Sequence, residues 1–489
     1  MTYKLHALSI PFCAALLCSC AAPPSKPDVD ALVPTAWRTT APSNDSACGT
    51  QAAGASPCAA AATPDAVTAD WWRGFGSEEL DAIVQRAIDG STDIAAAIAR
   101  VHEAAAQARI AGAALWPDLV ANVTAQRQIG GAGDITVDNG NSYAINLAAS
   151  YEIDFWGKNR ALRRAAGADF DASVFDRDTV RLTTVSTAAS LWLQIVALHE
   201  RAAIASRNVE LAQRTLALVE SQTRAGAASP LDVARQRGVV ASQQRSAAAL
   251  RQSAHDDEAT LAVLLGVPVE RVIVRTNSLA QIRVRSIDAG VPSALLVRRP
   301  DIARAEAQLS AADANIAAAR AAMLPSITLS PGIGFASDTV HGLFDAPLYT
   351  LAAGLTAPIF DGGRLRAQRD LAIAEREETL ANYRASIVTA FGDVDKALNA
   401  IGGVDAQLDA QREVLAQAQR AETLALSRYR AGAETMLTVL DAQQTLFDAQ
   451  DLWAQLKQER LQADVSLFQA LGGGWQAPAD GASDRDRAS

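Results

Sequence analysis

The chain has 489 residues, a formal net charge of −10 and a pI near 5.1, so it lacks the basic face that nucleic-acid binding needs to neutralise phosphates. Apolar residues make up 49% but aromatics only 5%, and the difference is mostly alanine, which fills thick cores poorly and suits helices lying side by side. That length could hold two or three compact domains, yet this composition points to one elongated object.

Residues 1–19 read as an export signal. Lys4 and His6 precede an apolar stretch, Ala7 to Leu17, that is too short to span a bilayer. Leu17-Cys18-Ser19-Cys20 resembles a bacterial lipobox, which makes Cys20 the lipidated first residue; Cys18 is the worse candidate because bulky Leu17 would sit directly before it. By resemblance to lipoproteins, Ala21 in place of Asp favours outer-membrane sorting. A plain secretory signal with incidental cysteines is the alternative. Residues 20–70 read as lipid anchor and flexible Ala/Pro-rich linker. Within it Cys48 and Cys58 are expected to pair in an oxidising compartment as a local disulfide.

Order is expected from Trp71-Trp72, opening a first repeat over 71–270. The pattern from Glu78 to Trp116 is helical, and Pro117 ends it because a residue before proline is pushed out of the helical region. Strands follow near 118–128 and 142–154. In the second, Tyr143, Ile145, Leu147, Ala149, Tyr151 and Ile153 form one apolar face against small and polar partners. A helix from about Gly157 to Ser221, free of proline, would reach roughly 100 Å at about 1.5 Å per residue. Leu182, Val185, Ala189, Trp192 and Val196 step along it as a coiled-coil seam. Residues 271–297 form an inter-repeat segment. The second repeat, 298–475, has strands near 326–336 and 348–360, the latter with Tyr349, Leu351, Leu355 and Ile359 on its apolar face. Val388, Phe391 and Leu398 continue the seam pattern, and Gly402-Gly403 is expected to interrupt the helix. A disordered tail, 476–489, ends the chain.

The halves repeat each other. AGAASPLDV at 225–233 returns as AGAETMLTV at 431–439, 206 residues later, and Leu265-Gly266 returns as Leu471-Gly472. Each unit is far larger than a solenoid repeat, so a duplicated scaffold closing around an axis fits better. Strands of this length with one apolar and one polar face suit a transmembrane β-barrel, although alternation alone also fits a half-buried soluble hairpin. Four strands cannot close a membrane barrel, which needs about eight, so several chains would have to share one.

Three long motifs, GVPSALLVRRPDIARAEAQLSAADANIAAARAAMLPSI (290–327), APIFDGGRLRA (357–367) and RYRAGAETMLTVLDAQQTLFDAQ (428–450), closely resemble the outer-membrane efflux proteins of the TolC and NodT type, in their lipoprotein branch. WWRGFGSEELDAIV (71–84) agrees, and the Ala-rich segment around 42–64 departs from the pattern. The resemblance implies a mainly α fold with transmembrane β. Three chains, four strands each, would share a 12-stranded barrel continued by a long α-helical coiled-coil barrel with an equatorial belt. It implies an outer-membrane location, with most of the chain in the periplasm. The expected function is the outer-membrane channel of a tripartite efflux pump that passes small molecules to the exterior. The partners would be a second and third copy, outer-membrane lipid, a periplasmic adaptor and an inner-membrane transporter of the resistance-nodulation-division class.

By the same likeness, Gly226, Ser229, Gly432 and Thr435 in the two helix-to-helix turns meet the adaptor, and Leu437 and Asp441 narrow the periplasmic entrance beside Thr438. Tyr429 ties neighbouring helices shut, Asp232 is the available acidic partner, and Glu434 replaces a basic position of some relatives. An acidic ring would favour cations; the plainer role for Asp441 is a solvated helix residue. No enzyme is expected, because His6, His102, His199, His255 and His341 are scattered without metal spacing, and no cofactor beyond lipid at Cys20 is implied. The competing readings are the exit duct of a type I protein secretion system and a non-conducting envelope scaffold.

Overall fold

The computed structural model describes residues 32–38, 67–129, 140–283 and 289–477. Cys20, Cys48 and Cys58 lie outside them, as does almost all of the 476–489 tail.

The duplication is visible in lengths. Helix α2 (Thr92–Ala113) and helix α5 (Pro300–Ala321) have 22 residues each, α3 (Lys158–Arg224) and α6 (Arg364–Arg430) have 67 each, and α4 (Pro230–Leu264) and α7 (Met436–Ala470) have 35 each. At about 1.5 Å per residue the longest pair spans roughly 100 Å. A short helix α1 (Glu78–Gly90) precedes α2, so the single helix expected over 78–116 is two. Gly90 explains the break: a Cβ there would collide with the Leu265 carbonyl, and Ser91 is buried beside it. The chain can pass so close to α4 only as glycine, and α2 leaves in a new direction.

Strands β1 (Asp118–Gln128), β2 (Gly140–Ile153), β3 (Ser326–Ser337) and β4 (Pro347–Thr356) form one antiparallel sheet in that order. The last strand stops short of the expected 360. Pro358 lacks the N–H a ladder needs, and Ile359 and Phe360 stand outside the sheet, exposed.

Two cores sit at mid-height of the long helices. In the first, Val185, Ala189, Trp192 and Val196 of α3 pack on the turn Trp71–Phe75 and on α1. The stepped series read as a coiled-coil seam therefore buries itself mainly against this belt. In the second, Ile387, Phe391, Val394 and Leu398 of α6 pack on α5, and Val388 is exposed, one position out of phase with the buried face. Leu32, Val33 and Trp37 join this core, with Trp37 Nε1 donating to the Gly290 carbonyl at 2.7 Å. That part of the presumed linker is anchored. Helix α6 runs unbroken through Gly402-Gly403, because buried Ile401 and Val404 on either side hold a stretch that helix propensity alone disfavours by about 1 kcal/mol per glycine.

Candidate functional site

The register assigns the two faces of the sheet. Antiparallel partners point the same way, so Val123, Ile145 and Phe335 form one row, Ala121, Leu147, Ile333 and Tyr349 another, and Ile153, Ile327 and Leu355 a third. The opposite face carries Asn122, Asn146 and Gly334, then Glu152, Thr328 and Gly354. One side is oily and the other mostly small and polar, with Val120 and Leu348 its apolar exceptions. Opposite Pro331 the β2–β3 ladder lapses, since proline has no donor there. Among the described residues the outer edges of β1 and β4 have no partner strand.

Each long helix is fastened to the sheet by an aspartate. Asp154 accepts the N–H groups of Asn159 and Arg160, both at 2.9 Å, and Asp361 accepts those of Gly363 at 3.0 Å and Leu365 at 2.9 Å. Burial works against ionising Asp154, but the two backbone bonds and the Arg160 guanidinium hold its carboxyl below the usual range; at Asp361 the Leu365 N–H is the largest cause of the lowering, joined by the Gly363 N–H and the Arg364 charge. Gly157 and Gly363, at φ 78° and 86°, make the sharp entry that permits this.

At the far end the two turns have one geometry. Gly226 and Gly432 adopt φ 77° and 72°, while Ala227 N–H reaches the Gln222 carbonyl and Ala433 N–H the Arg428 carbonyl, a Schellman closure in both. Ser229 caps α4 in a reciprocal box with Asp232, whose carboxylate accepts from the Ser229 N–H at 3.1 Å and hydroxyl at 2.8 Å. Thr435 caps α7. Because Thr438 stands where Asp232 does, that box is not closed; instead Glu434 accepts from the Thr438 hydroxyl at 3.0 Å and the Thr435 N–H at 3.2 Å, with Arg428 3.8 Å away. These bonds, the Thr435 N–H first, lower the Glu434 pKa. Leu437 is 52% exposed and shares a face with exposed Asp441 one turn on. Tyr429 is half-buried in a cluster with Val219, Met436 and Val439; burial, then the nearby Asp232 charge, raises its hydroxyl pKa.

Against known proteins, the profile of the family described as outer membrane efflux protein matches residues 83–267 and 291–473, one stretch per repeat. The chain belongs to the outer membrane efflux protein family. It is 45% identical to the pyoverdine export outer membrane protein OpmQ of Pseudomonas putida over 98% of this chain and 99% of that one. Against the protein of the same name from Pseudomonas aeruginosa the identity is 48%, covering 85% and 90%. A crystal structure of CusC superposes with a TM-score of 0.77 at 29% identity, covering 86% of this chain and 99% of that one.

This efflux protein is therefore an outer-membrane channel, the terminal component of a pump that also has a periplasmic adaptor and an inner-membrane transporter. The expected entrance residues Leu437, Thr438, Asp441 and Tyr429 gather on α6 and α7 at one tip, but Asp232 is committed to its own cap rather than free. Among the described residues no cluster of metal-ligating side chains occurs.

The sequence reading overlooked how the first hairpin (α3–α4) is held to α7 of the second. Gln443 Nε2 donates to the Thr215 hydroxyl at 2.9 Å and its Oε1 accepts from Gln236 Nε2 at 3.4 Å, while Gln236 also donates to the Ala212 carbonyl at 2.9 Å within the first hairpin, all buried. Farther from the tip Arg201 grips Asp451 with two bonds of 2.7 and 2.9 Å. A polar residue at a buried seam position was the available signal, visible only once the seam phase is known.

Proposed function

We propose that three copies of this chain join their sheets edge to edge into one 12-stranded barrel and their helices into one duct, through which small molecules leave the periplasm. The observation that carries this reading is the sheet itself: a continuous oily face, a mostly small and polar face and two edges unpaired among the described residues, attached directly to helices of roughly 100 Å. Bilayer hydrocarbon cannot satisfy an open edge, so the edges must meet other copies. Single-channel recording on protein whose native mass equals three chains tests it; a monomeric mass or a silent bilayer refutes it.

The resemblance to OpmQ over nearly the whole chain supports a secreted siderophore of the pyoverdine type among the cargo, and loss of that export in a deletion strain is the check. Gly226, Ser229, Gly432 and Thr435 are read as the adaptor-facing surface, and Leu437 with Asp441 as stacked apolar and acidic rings at the entrance, beside Thr438 and Tyr429. Asp232 acts there by holding its turn. Cys20 is read as the lipid-bearing residue, with Cys48 and Cys58 paired and no prosthetic group required. The family resemblance supports a transporter of the resistance-nodulation-division class; affinity capture that recovers an ATP-driven transporter instead would replace that assignment.

A further inference from the structure

On the first repeat α2 and α3 part to leave a groove of about 1090 Å³ just below the sheet. Its floor is small residues, Ala105, Ala108, Gly112 and Gly167, and its rim carries Arg109, Arg163 and Arg164. None of these three arginines forms an ion pair among the described residues, whereas Arg160 at the upper end is held by Asp154 and Asp171 supplies one carboxylate. Trp116 closes the top and, with Phe155, is strongly exposed at 76% and 64%, as expected of aromatics at a membrane–water boundary.

The groove faces outward. Gly167 and Asp171 lie 18 residues, five full turns, from Val185 and Ala189, which are covered by the Trp71–Phe75 turn and α1. Those covering elements would block the passage if they stood inside it. Asp178, on the same stripe, accepts from Trp475 in the C-terminal segment, which covers the same side.

The second repeat supplies an internal control. The repeat-mates of Arg163 and Arg164 are Arg369 and Asp370, which neutralise each other at 2.7 Å, and the mate of Arg109 is Ala317. Where Phe170 and Ala105 line the groove, Arg376 and Asp313 join α6 to α5 at 3.0 Å. The second repeat keeps Arg366 and Arg320, the mates of Arg160 and Gly112, but folds without an unpaired cluster equivalent to Arg109, Arg163 and Arg164, so that cluster is not a requirement of the fold.

We propose that this groove binds the phosphate-bearing headgroup of an anionic phospholipid from the periplasmic leaflet of the outer membrane. The proposal rests on the barrel reading above, which sets the membrane level. Arg109 lies two turns, about 10 Å, below Trp116, and a snorkelling guanidinium covers most of that distance to the headgroups. The aromatic rim would lie against the upper acyl chains.

The test is native mass spectrometry of the full-length trimer in nanodiscs doped with phosphatidylglycerol or phosphatidylethanolamine. The wild type should retain phosphatidylglycerol selectively, by about fivefold for each arginine engaged. Arg164→Asp, which copies the neutral Arg369–Asp370 arrangement the scaffold already tolerates, should cut retention at least about tenfold, and Arg109→Ala on the other wall about fivefold. Arg369→Ala should change nothing. Equal retention by wild type and both groove variants, or no preference between the two lipids, overturns the proposal. Soluble glycerol phosphate binding as tightly as the lipid also overturns it, by assigning the groove to a free anion. Trimer mass and channel current recorded on the same samples show separately whether the barrel reading itself has failed.

Discussion

The two repeats agree in helix length to the residue and in turn geometry within a few degrees, yet they carry different charge. Asp232 has Thr438 as its mate, Arg235 has Asp441, Leu216 has Glu422, and the Arg163–Arg164 pair has Arg369–Asp370. What is shared is what a duct needs: rise per residue, a glycine turn and an aspartate at each strand-to-helix junction. What differs is free to serve one level or one face of the channel. Positions where the repeats diverge are therefore the informative ones to change.

The largest effect is expected at the shared turns. Gly226→Trp and Gly432→Trp each force an L-residue into positive φ, at a cost of about 1–2 kcal/mol, although a Cβ at either site meets open space within the chain. The fold should survive and the adaptor surface should not. Efflux in a susceptibility assay should vanish while the trimer still forms. Gly→Ala pays the same backbone strain without the bulk, so if it abolishes efflux equally, strain rather than contact is responsible and the adaptor assignment falls.

Next comes the divergent pair Asp441 and Arg235. Three Asp441 carboxylates around a narrow entrance would concentrate cations there, so Asp441→Ala should raise leak current and lower cation preference by about two- to tenfold. Arg235→Ala, its mate on the other hairpin, should do far less. Identical small changes for both would reduce Asp441 to a solvated helix residue.

How much of this was legible depends on the signal each feature leaves. Alternation in β2 and β3 is a period-two pattern imposed by a barrel wall, and the structure pairs Ile145 with Phe335 and Leu147 with Ile333 on one face as expected. The turns were legible because positive φ restricts residue choice to glycine. Gly402-Gly403 misled because propensity is local while Ile401 and Val404 are held by tertiary packing. Trp37 was unreadable because one aromatic in a Pro/Ala stretch has no period, although its ring meets Phe391 at 6.0 Å. The Gln236, Thr215 and Gln443 bonds were hidden for the same reason: each is a single polar residue whose partner lies on another helix.

Glu422 sharpens the comparison through pH. It is buried on α6 with Oε1 lacking a partner among the described residues, where its mate is Leu216, and burial raises its carboxyl pKa, opposed by the charge of Arg430. The folded carboxyl thus holds its proton more tightly than the unfolded one at about 4.5. Wild-type stability should therefore increase as pH falls through the raised folded value, and level off below the unfolded one. Glu422→Leu should add about 1 kcal/mol at neutral pH and flatten that dependence, read by thermal melts of the trimer at several pH values. A lower melting temperature for the variant would mean that a neighbouring copy supplies the missing partner.

The smallest effect concerns the two caps. Thr438→Asp would give α7 the reciprocal box that Ser229 and Asp232 give α4, a gain of about 0.5–1 kcal/mol. Glu434 stands in the way, since its Oε1 now accepts from the Thr438 hydroxyl at 3.0 Å and would face a second carboxylate. The single variant should come out within about 0.5 kcal/mol of wild type, the box offset by like-charge repulsion. Adding Glu434→Gln removes the repulsion and keeps an oxygen for the Thr435 N–H, so the double variant should show the capping gain that the single one conceals. If the double variant is no more stable than the single, the second turn is not limited by its cap, and the first repeat's box owes its place to the position of Asp232 beside Tyr429 instead.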